Sequence, residues 1–438
     1  IVQCGSDAKI GYVSDRSTHK PEKKIKHIYK RTTYKLPQKT RQFIAWMNAN
    51  YPNMPGVHVQ HVLPTSLRNE KLTIKQTDNV VKPAIAPPEL TKKQDEICER
   101  ILSSTKPHVL HGITGSGKTR VYLELLRKTV ESGKNAIVLY PEISLTHHME
   151  QSLKPHISTN TLHTYHSKGT PSQRKQTWIA AATKNQGQVF IGPRSALFLP
   201  VNNVGLVIVD EAHDSSYKQD NGSRYNGLYA AAGLAQTWGA KLLFGSATPP
   251  IAETNLLEQR SGLMLCMHEL ALNTKKVSRN FEVIDMTNKT EVSSASHLLS
   301  NRLLQAIDNS LDNNKQAIIF LNRRGTARSV VCQYCGWHAV CTKCNNPLTY
   351  HHDIHSLQCH ICGTTHRSVH ACPNCASEIH LQSPGTKAVV EELQKLFPQA
   401  RIMRFDSDNK KAESLSVNYE SLRNGKVDIA VGTQLITK

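Results

Sequence analysis

The stretch His111-Gly112-Ile113-Thr114-Gly115-Ser116-Gly117-Lys118-Thr119 decides the fold. It fits glycine, any four residues, then Gly-Lys-Thr, the spacing of a phosphate-binding loop. Val109-Leu110 ahead of it is a short apolar run suited to a buried strand. Behind it, Arg120-Val121-Tyr122-Leu123-Glu124-Leu125-Leu126-Arg127 has helical apolar spacing. The glycines let the backbone wrap a triphosphate with its N–H groups facing the oxygens, and the helix N-terminus adds a favourable dipole. Gly112, Thr114, Gly115, Ser116 and Gly117 would form the cradle, Lys118 would reach the β- and γ-phosphates, and the Thr119 hydroxyl would bind Mg²⁺. A serine- and glycine-rich surface loop with a chance lysine is the bland alternative, and both flanks argue against it. The chain is expected to bind a nucleotide.

Charge narrows the partner. Lys plus Arg number 54 against 34 Asp plus Glu, a formal net charge of +20. A polyanion is expected, nucleic acid before membrane, because no long apolar run or basic amphipathic helix stands out. Solubility alone is the plain alternative. At 438 residues there is room for about three domains. No signal peptide is visible, so a cytoplasmic, nucleoid-associated location is expected. The chain starts without Met and stops abruptly, and it is read here as part of something longer.

Outward from the loop, near-continuous apolar runs end in polar motifs. Asn135 to Tyr140 is one such strand, Val204 to Val209 runs into Asp210-Glu211-Ala212-His213, and Lys241 to Phe244 runs into Gly245-Ser246-Ala247-Thr248-Pro249. Such runs predict strands covered on both faces, hence a parallel sheet wrapped by helices with its chemistry at the strand carboxyl ends. Leu90 to Gln94 opens a helix with Thr91 as its N-cap. A second α/β unit is expected from Phe281 to Asp285, through the strand Ala317 to Leu321 and Asn322-Arg323-Arg324-Gly325, to the helix Ala388 to Phe397, the strand Arg401 to Phe405 and Ile429-Ala430-Val431-Gly432-Thr433-Gln434. The fold class is therefore α/β, with two parallel-sheet lobes. The expected boundaries are a small β-rich N-terminal module at 1–68, a polar and Pro-rich linker at 69–89, a first lobe at 90–270 and a second at 271–438, interrupted at 330–380.

The interruption carries eight of the eleven cysteines as four C-x-x-C pairs, Cys332/Cys335, Cys341/Cys344, Cys359/Cys362 and Cys372/Cys375. Each pair offers two thiolates from one tight turn, and two pairs complete a tetrahedral Zn²⁺. Two closed structural sites are expected. Outer pairs together and inner pairs together is adopted over sequential pairing, with His351, His352, His360 and His370 as bystanders.

Asp210 is expected to hold Mg²⁺ through its water shell, with Glu211 orienting the attacking water. His213, Ser246 and Thr248 suit a link from the nucleotide site to a moving element. Arg323 and Arg324 suit phosphate contacts, on the nucleotide or on a nucleic-acid backbone. The segment Asp214 to Tyr225, with Tyr217, Lys218, Arg224 and Tyr225, mixes aromatic and basic groups as a nucleic-acid contact would. A solvated loop is the plain alternative for both.

Taken in order, the phosphate loop, Tyr140 to Thr146, Gly192-Pro193-Arg194-Ser195-Ala196-Leu197-Phe198, the acidic box, Gly245 to Pro249 and Leu321 to Gly325 resemble the PriA family of bacterial replication-restart helicases. These are superfamily 2 DNA helicases moving 3′ to 5′, and the eight-cysteine insertion is the most specific part of the match. The resemblance implies RecA-like motor lobes, ATP, Mg²⁺ and two Zn²⁺, and the nested thiol pairing. It implies Lys118, Asp210, Glu211 and His213 as catalytic groups, Gln94 among the nucleotide contacts, and Arg194, Ser195, Thr433 and Gln434 among the DNA or coupling residues. Partners implied are forked and single-stranded DNA, single-stranded DNA-binding protein, other primosome proteins and a replicative helicase loader. Three departures are noted: no winged-helix domain fits between 1–68 and the motor, Pro193 and Ala212 replace commoner residues, and the text stops before the family's arginine-finger motif. A non-enzymatic fork-binding scaffold with a purely conformational nucleotide site is the second reading, and a restriction-type translocase the third.

Overall fold

The computed structural model describes residues 2–4, 7–9, 36–53, 56–63, 67, 85–141, 149–158, 161–220, 222–259, 262–271, 281–286, 288, 290–293, 296–321, 328–332, 334–351, 356–359, 362–379, 386–405, 421–433 and 436. It divides into two compact units, Ile1–Val277 and Ser278–Lys438.

The first unit opens with a short antiparallel pair, β1 (Val2–Cys4) and β2 (Asp7–Lys9), and then two helices, α1 (Gln38–Asn50) and α2 (Val57–Val62). Residues 10–35 of the expected N-terminal module and most of the 69–89 linker lie outside the described residues. After α3 (Lys92–Ser103) come β3 (His108–Gly112), α4 (Lys118–Glu131), β4 (Asn135–Leu139), β5 (Leu162–Thr164), α5 (Pro171–Thr183), β6 (Val189–Gly192), β7 (Val204–Val209), α6 (Gly227–Trp238), β8 (Lys241–Ser246), α7 (Ile251–Gln259) and β9 (Leu263–Met267). The strands form one seven-stranded sheet in the order β5-β6-β4-β7-β8-β3-β9, with every pairing parallel. All five residues of β4 are buried, as expected of a strand covered on both faces. Thr91 caps α3 with a reciprocal pair of bonds: its hydroxyl accepts from Gln94 N, and the Gln94 side chain accepts from Thr91 N.

The N-terminal helices belong to this unit's core. Phe43, Ile44, Met47 and Val62 share one buried cluster with Val207, Phe190, Leu234 and Phe198 of the sheet and its helices. Trp178 Nε1 donates to Val62 O at 2.6 Å, and Lys39 Nζ donates to Trp238 O at 3.1 Å. The Trp46 indole lies against Gly233 so closely that an added Cβ would stand 2.7 Å from three ring atoms. The glycine in the middle of α6, unfavourable for a helix by itself, leaves the room the indole occupies.

The second unit holds a two-stranded ribbon of β10 (Val292–Ser293) and β11 (Ser296–Ser300), followed by α8 (Asn301–Asp312) capped by the Ser300 hydroxyl. A parallel three-stranded sheet follows in the order β12-β18-β17, from β12 (Ala317–Phe320), β17 (Ile402–Phe405) and β18 (Ile429–Gly432). Between β12 and α9 (Thr386–Leu396) the chain makes an antiparallel sheet of β13 (Arg328–Ser329), β14 (Thr349–His351), β15 (Ser356–Gln358) and β16 (Thr365–Arg367), within the expected 330–380 insertion except at its first strand. Phe281 to Asp285, where the second α/β unit was expected to begin, has no ladder partner among the described residues, and Phe281 and Val283 are exposed. Among the described residues no helix is long and apolar enough to cross a membrane.

Because Trp46 needs the empty side of Gly233, Gly233→Ala should lower the stability of the first unit by about 1–3 kcal/mol. In a Trp46→Leu background the same substitution should cost much less. Denaturant unfolding of the four proteins in this double-mutant cycle checks it.

Candidate functional site

Parallel pairing brings the carboxyl ends of β3, β4, β7 and β8 to one edge of the sheet, and the motifs read from the sequence leave from there. The phosphate loop turns on Gly115 and Gly117, whose φ values of +82° and +84° are strained for residues with a side chain. Ser116 N donates to Ile113 O at 3.1 Å, closing the turn, and Lys118 Nζ reaches back to Gly112 O at 2.7 Å. A Cβ on Gly112 would meet Ser116 Oγ at 2.6 Å, so the cradle has no room for a side chain there. The Ser116 hydroxyl is buried with no partner among the described residues. A phosphate oxygen is the kind of group that would satisfy it, and the loop fits a nucleotide on this observation. Thr114 and Gly115 are exposed at the loop tip, and Thr119 is half-buried in the first turn of α4.

Gln94 stands behind the loop. It is 2% exposed, and Nε2 donates to Ser116 O at 3.4 Å while Oε1 takes Thr91 N at 3.0 Å. It braces the cradle in this arrangement. Beyond β9, Ala271 N donates to Gly115 O at 3.0 Å, so the chain leaving the sheet is also tied to the loop.

Asp210 follows β7 and is buried; Tyr122 Oη donates to its Oδ1 at 2.7 Å. Burial, then the charge of Glu211, pushes the Asp210 carboxyl up to about 6, while Tyr122, Glu211 N–H and Lys118 oppose the rise. Divalent metal would find an acid here whose own surroundings disfavour its charge. Glu211 sits at φ +47°, a left-handed conformation rare for a side-chain-bearing residue. His213 Nδ1 lies 2.8 Å from Ser246 Oγ and 3.4 Å from Glu211 Oε2. Ser246 Oγ in turn accepts Thr248 N at 3.0 Å, so the acidic box and the Ser-Ala-Thr turn are one hydrogen-bonded unit. His111 joins them, with Nε2 3.1 Å from Ala247 O.

The segment after the acidic box is the point where structure and expectation part. Tyr217 and Tyr225 are each 2% exposed, so neither ring faces outward for base stacking. Their amphipathic rings instead bind the segment to the lobe. Tyr217 Oη donates to Asp210 O at 2.6 Å and lies 3.1 Å from Leu139 O. Tyr225 packs edge-on against Phe198 and Tyr51, and Asn226 N donates to Tyr51 Oη at 3.3 Å. His61 stacks near Phe198 and touches Ser223 Oγ at 3.2 Å; burial, with His58 and Arg194 nearby, lowers its pKa below the ordinary value. Arg194, in the 3-10 turn Arg194–Phe198 with Ser195, donates from one nitrogen to Ser216 O at 2.5 Å and Lys218 O at 2.7 Å. Lys218 and Arg224 remain exposed. Composition could not distinguish rings facing bases from rings facing a core.

In the second unit the eight thiols gather into two groups, Cys332, Cys335, Cys372 and Cys375, and Cys341, Cys344, Cys359 and Cys362. Outer pairs meet outer and inner meet inner. Sγ–Sγ separations include 3.5 Å for Cys332–Cys375, 3.5 Å for Cys335–Cys372, 3.4 Å for Cys344–Cys359 and 3.5 Å for Cys341–Cys362. Four sulfurs at about 2.3 Å around a tetrahedral ion would be about 3.8 Å apart, so the thiols can hold a metal with small adjustment. Each pair uses one turn: the residue four after the first cysteine (Gly336, Asn345, Gly363, Ala376) has positive φ and donates its N–H to that cysteine's carbonyl. Hydrogen bonds with Thr364 and Ser377 draw the Cys362 and Cys375 thiols down to about 6, whereas burial pushes the Cys372 thiol up to about 11. Thr433 N donates to Phe405 O at 3.2 Å; Arg323, Arg324 and Gln434, and also His352 and His360, lie outside the described residues.

Two substitutions test this geometry. Arg194→Ala removes two of the hydrogen bonds that hold the 214–226 segment, and trypsin cleavage after Lys218 and Arg224 should speed up roughly tenfold with cleavage elsewhere unchanged. Ala376→Gly relieves a left-handed residue and should raise the thermal midpoint of the metal-loaded protein, by the equivalent of about 1 kcal/mol.

Residues 91–257 match the model of the DEAD/DEAH box helicase family. The chain is 31% identical over 447 residues to the replication restart protein PriA of Rickettsia felis, covering 100% of this chain and 67% of that protein. PriA of Rickettsia conorii is 31% identical over 433 residues, 98% of this chain and 66% of the relative, and PriA of Bacillus subtilis 36% over 335 residues, 76% of this chain and 41% of the relative. The chain thus spans about two thirds of the length of the Rickettsia proteins it matches. A phosphate loop braced by Gln94, two four-thiol clusters, and a match running the length of the sequence together place the chain in the PriA family of replication restart proteins.

Proposed function

We propose that this chain carries the motor of an ATP-dependent DNA helicase that moves 3′ to 5′, acts on stalled or branched replication forks and starts primosome assembly there. The observation that carries the reading is Tyr217: it belongs to the segment after the acidic box, yet its hydroxyl donates to the carbonyl of Asp210 itself. Whatever moves that segment moves the nucleotide site's acid. Bound Mg²⁺·ATP supplies the phosphoanhydride whose hydrolysis drives the cycle. Around it, Lys118 and the loop N–H groups hold the phosphates, Thr119 and Asp210 hold the ion's shell, and Glu211 orients water. His213 and Ser246 pass a change at the acid to the neighbouring turn. Lys218 and Arg224, exposed on the same segment, are the cations offered to a DNA backbone. Forked and single-stranded DNA, single-stranded DNA-binding protein, other primosome proteins and a helicase loader are the partners this reading names, in a cytoplasmic, nucleoid-associated setting.

We also infer that the two thiol groups each hold one structural Zn²⁺. Neither site leaves a ligand position open, so the ions hold the insertion together and do no chemistry.

Two measurements check these readings. On the full gene product, forked DNA should raise ATP turnover, and Lys118→Ala should abolish both basal and stimulated rates; wild-type turnover no higher than the variant's overturns the motor reading. Metal analysis should return two Zn²⁺ per chain, falling to one in Cys375→Ser/Cys372→Ser, and chelation should unfold the insertion while nucleotide binding by the first unit persists.

A further inference from the structure

The hydroxyl of Tyr122 lies where three strand-end motifs meet. Tyr122 follows Lys118 by one helical turn in α4, is 1% exposed, and donates to Asp210 Oδ1 at 2.7 Å. Gly245, at the end of β8 before Ser246, faces the same point. A Cβ built on it would stand 1.7 Å from Tyr122 Oη and 3.1 Å from Asp210 Oδ1. Gly245 has no left-handed φ, so its backbone does not demand glycine; the volume a side chain would fill is where the phenol sits. The Gly245 carbonyl also accepts Ala212 N at 3.0 Å, fixing the turn that carries Glu211. From the other side Tyr217 holds the Asp210 carbonyl. The Asp210 carbonyl is therefore gripped by Tyr217, and its carboxylate by Tyr122 with the Glu211 N–H.

We propose that Tyr122 is the positioning residue for the metal acid and that Gly245 is its socket. The phenol's bond to Oδ1, together with the Glu211 N–H, would fix how the carboxylate is presented to the Mg²⁺ shell. Because Tyr122 rides on the helix that begins with Lys118 and Thr119, it sets the acid relative to the phosphate loop through a single rigid element. A carboxylate in this buried place with Oδ1 unclaimed could rotate between two presentations, and outer-shell partners of this kind govern metal affinity by about 10- to 100-fold. This inference rests on the reading of Asp210 as the Mg²⁺ acid.

The test is Mg²⁺-dependent binding of a fluorescent ATP analogue to the full chain, titrated from EDTA upward, for wild type, Tyr122→Phe, Gly245→Ala and Asp210→Asn, with thermal midpoints alongside. Tyr122→Phe keeps the ring and removes only the hydroxyl. It should leave binding in EDTA unchanged and raise the Mg²⁺ concentration for half-maximal tightening about tenfold or more. Gly245→Ala, which drives the phenol off the carboxylate, should shift the Mg²⁺ curve the same way. A Tyr122→Phe curve that overlays wild type, while Asp210→Asn shifts, overturns the positioning role, and a fall in thermal midpoint alone then marks the bond as structural. If Asp210→Asn itself leaves the Mg²⁺ curve unmoved, the underlying assignment of the acid falls, and this inference with it.

Discussion

The register of the parallel ladder through β3, β8, β7 and β4 is the constraint on which the candidate nucleotide site depends. Leu110 pairs with Gly245, His111 with Ser246, Val209 with Phe244 and Leu139 with Val209. That register sets the phosphate loop, Asp210 and the Ser-Ala-Thr turn at one level of one edge. Side chains alternate faces along a strand, so a slip of one residue would turn every buried Val, Ile and Leu to the opposite face. With both faces covered by helices, two separate apolar clusters oppose such a slip. Several polar groups at the edge pair between motifs: Tyr122 with Asp210, His213 with Ser246, His111 with Ala247.

The insertion in the second unit obeys a different constraint. Its apolar core is small, built on Val330, Leu348, Tyr350, Leu357 and Ile379 with buried cysteines among them. A core of that size stabilises a fold only with additional cross-links, and the four repeated turns arrange thiols to accept them. The repeat extends to backbone: the left-handed position after each pair is Gly, Asn, Gly and Ala in turn, three of them residues suited to it or tolerant of it. The second unit's parallel sheet packs its own cluster around Leu393, Ile429 and Val431.

Between these lies the lesson of the aromatic segment. Tyr217, Tyr225 and their neighbours were expected as an outward, DNA-facing surface, yet they anchor the segment to the acid, to Phe198 and to the N-terminal helices α1 and α2. Aromatic and basic residues in sequence look the same whether the rings turn in and the cations out or the reverse. Here the rings turn in and Lys218 and Arg224 stay out. Residues 1–68 were likewise read as a separate β-rich module, whereas α1 and α2 pack into the first unit's core; an amphipathic helix has an apolar face without showing what covers it.

By itself the sequence determined what depends on neighbours along the chain. The phosphate loop between its strand and helix, the Thr91 cap, the buried strands ending in acids and the C-x-x-C turns are all local patterns, legible because backbone conformation and short spacing carry their chemistry. Tertiary structure alone decided what depends on residues far apart in number. Tyr122 read only as an apolar position in a helix, and Gly245 only as part of a turn; 88 residues separate Tyr122 from the carboxylate it holds. A hydrogen bond or a socket of that kind is set by which surfaces the ladder brings together, and no local pattern encodes it.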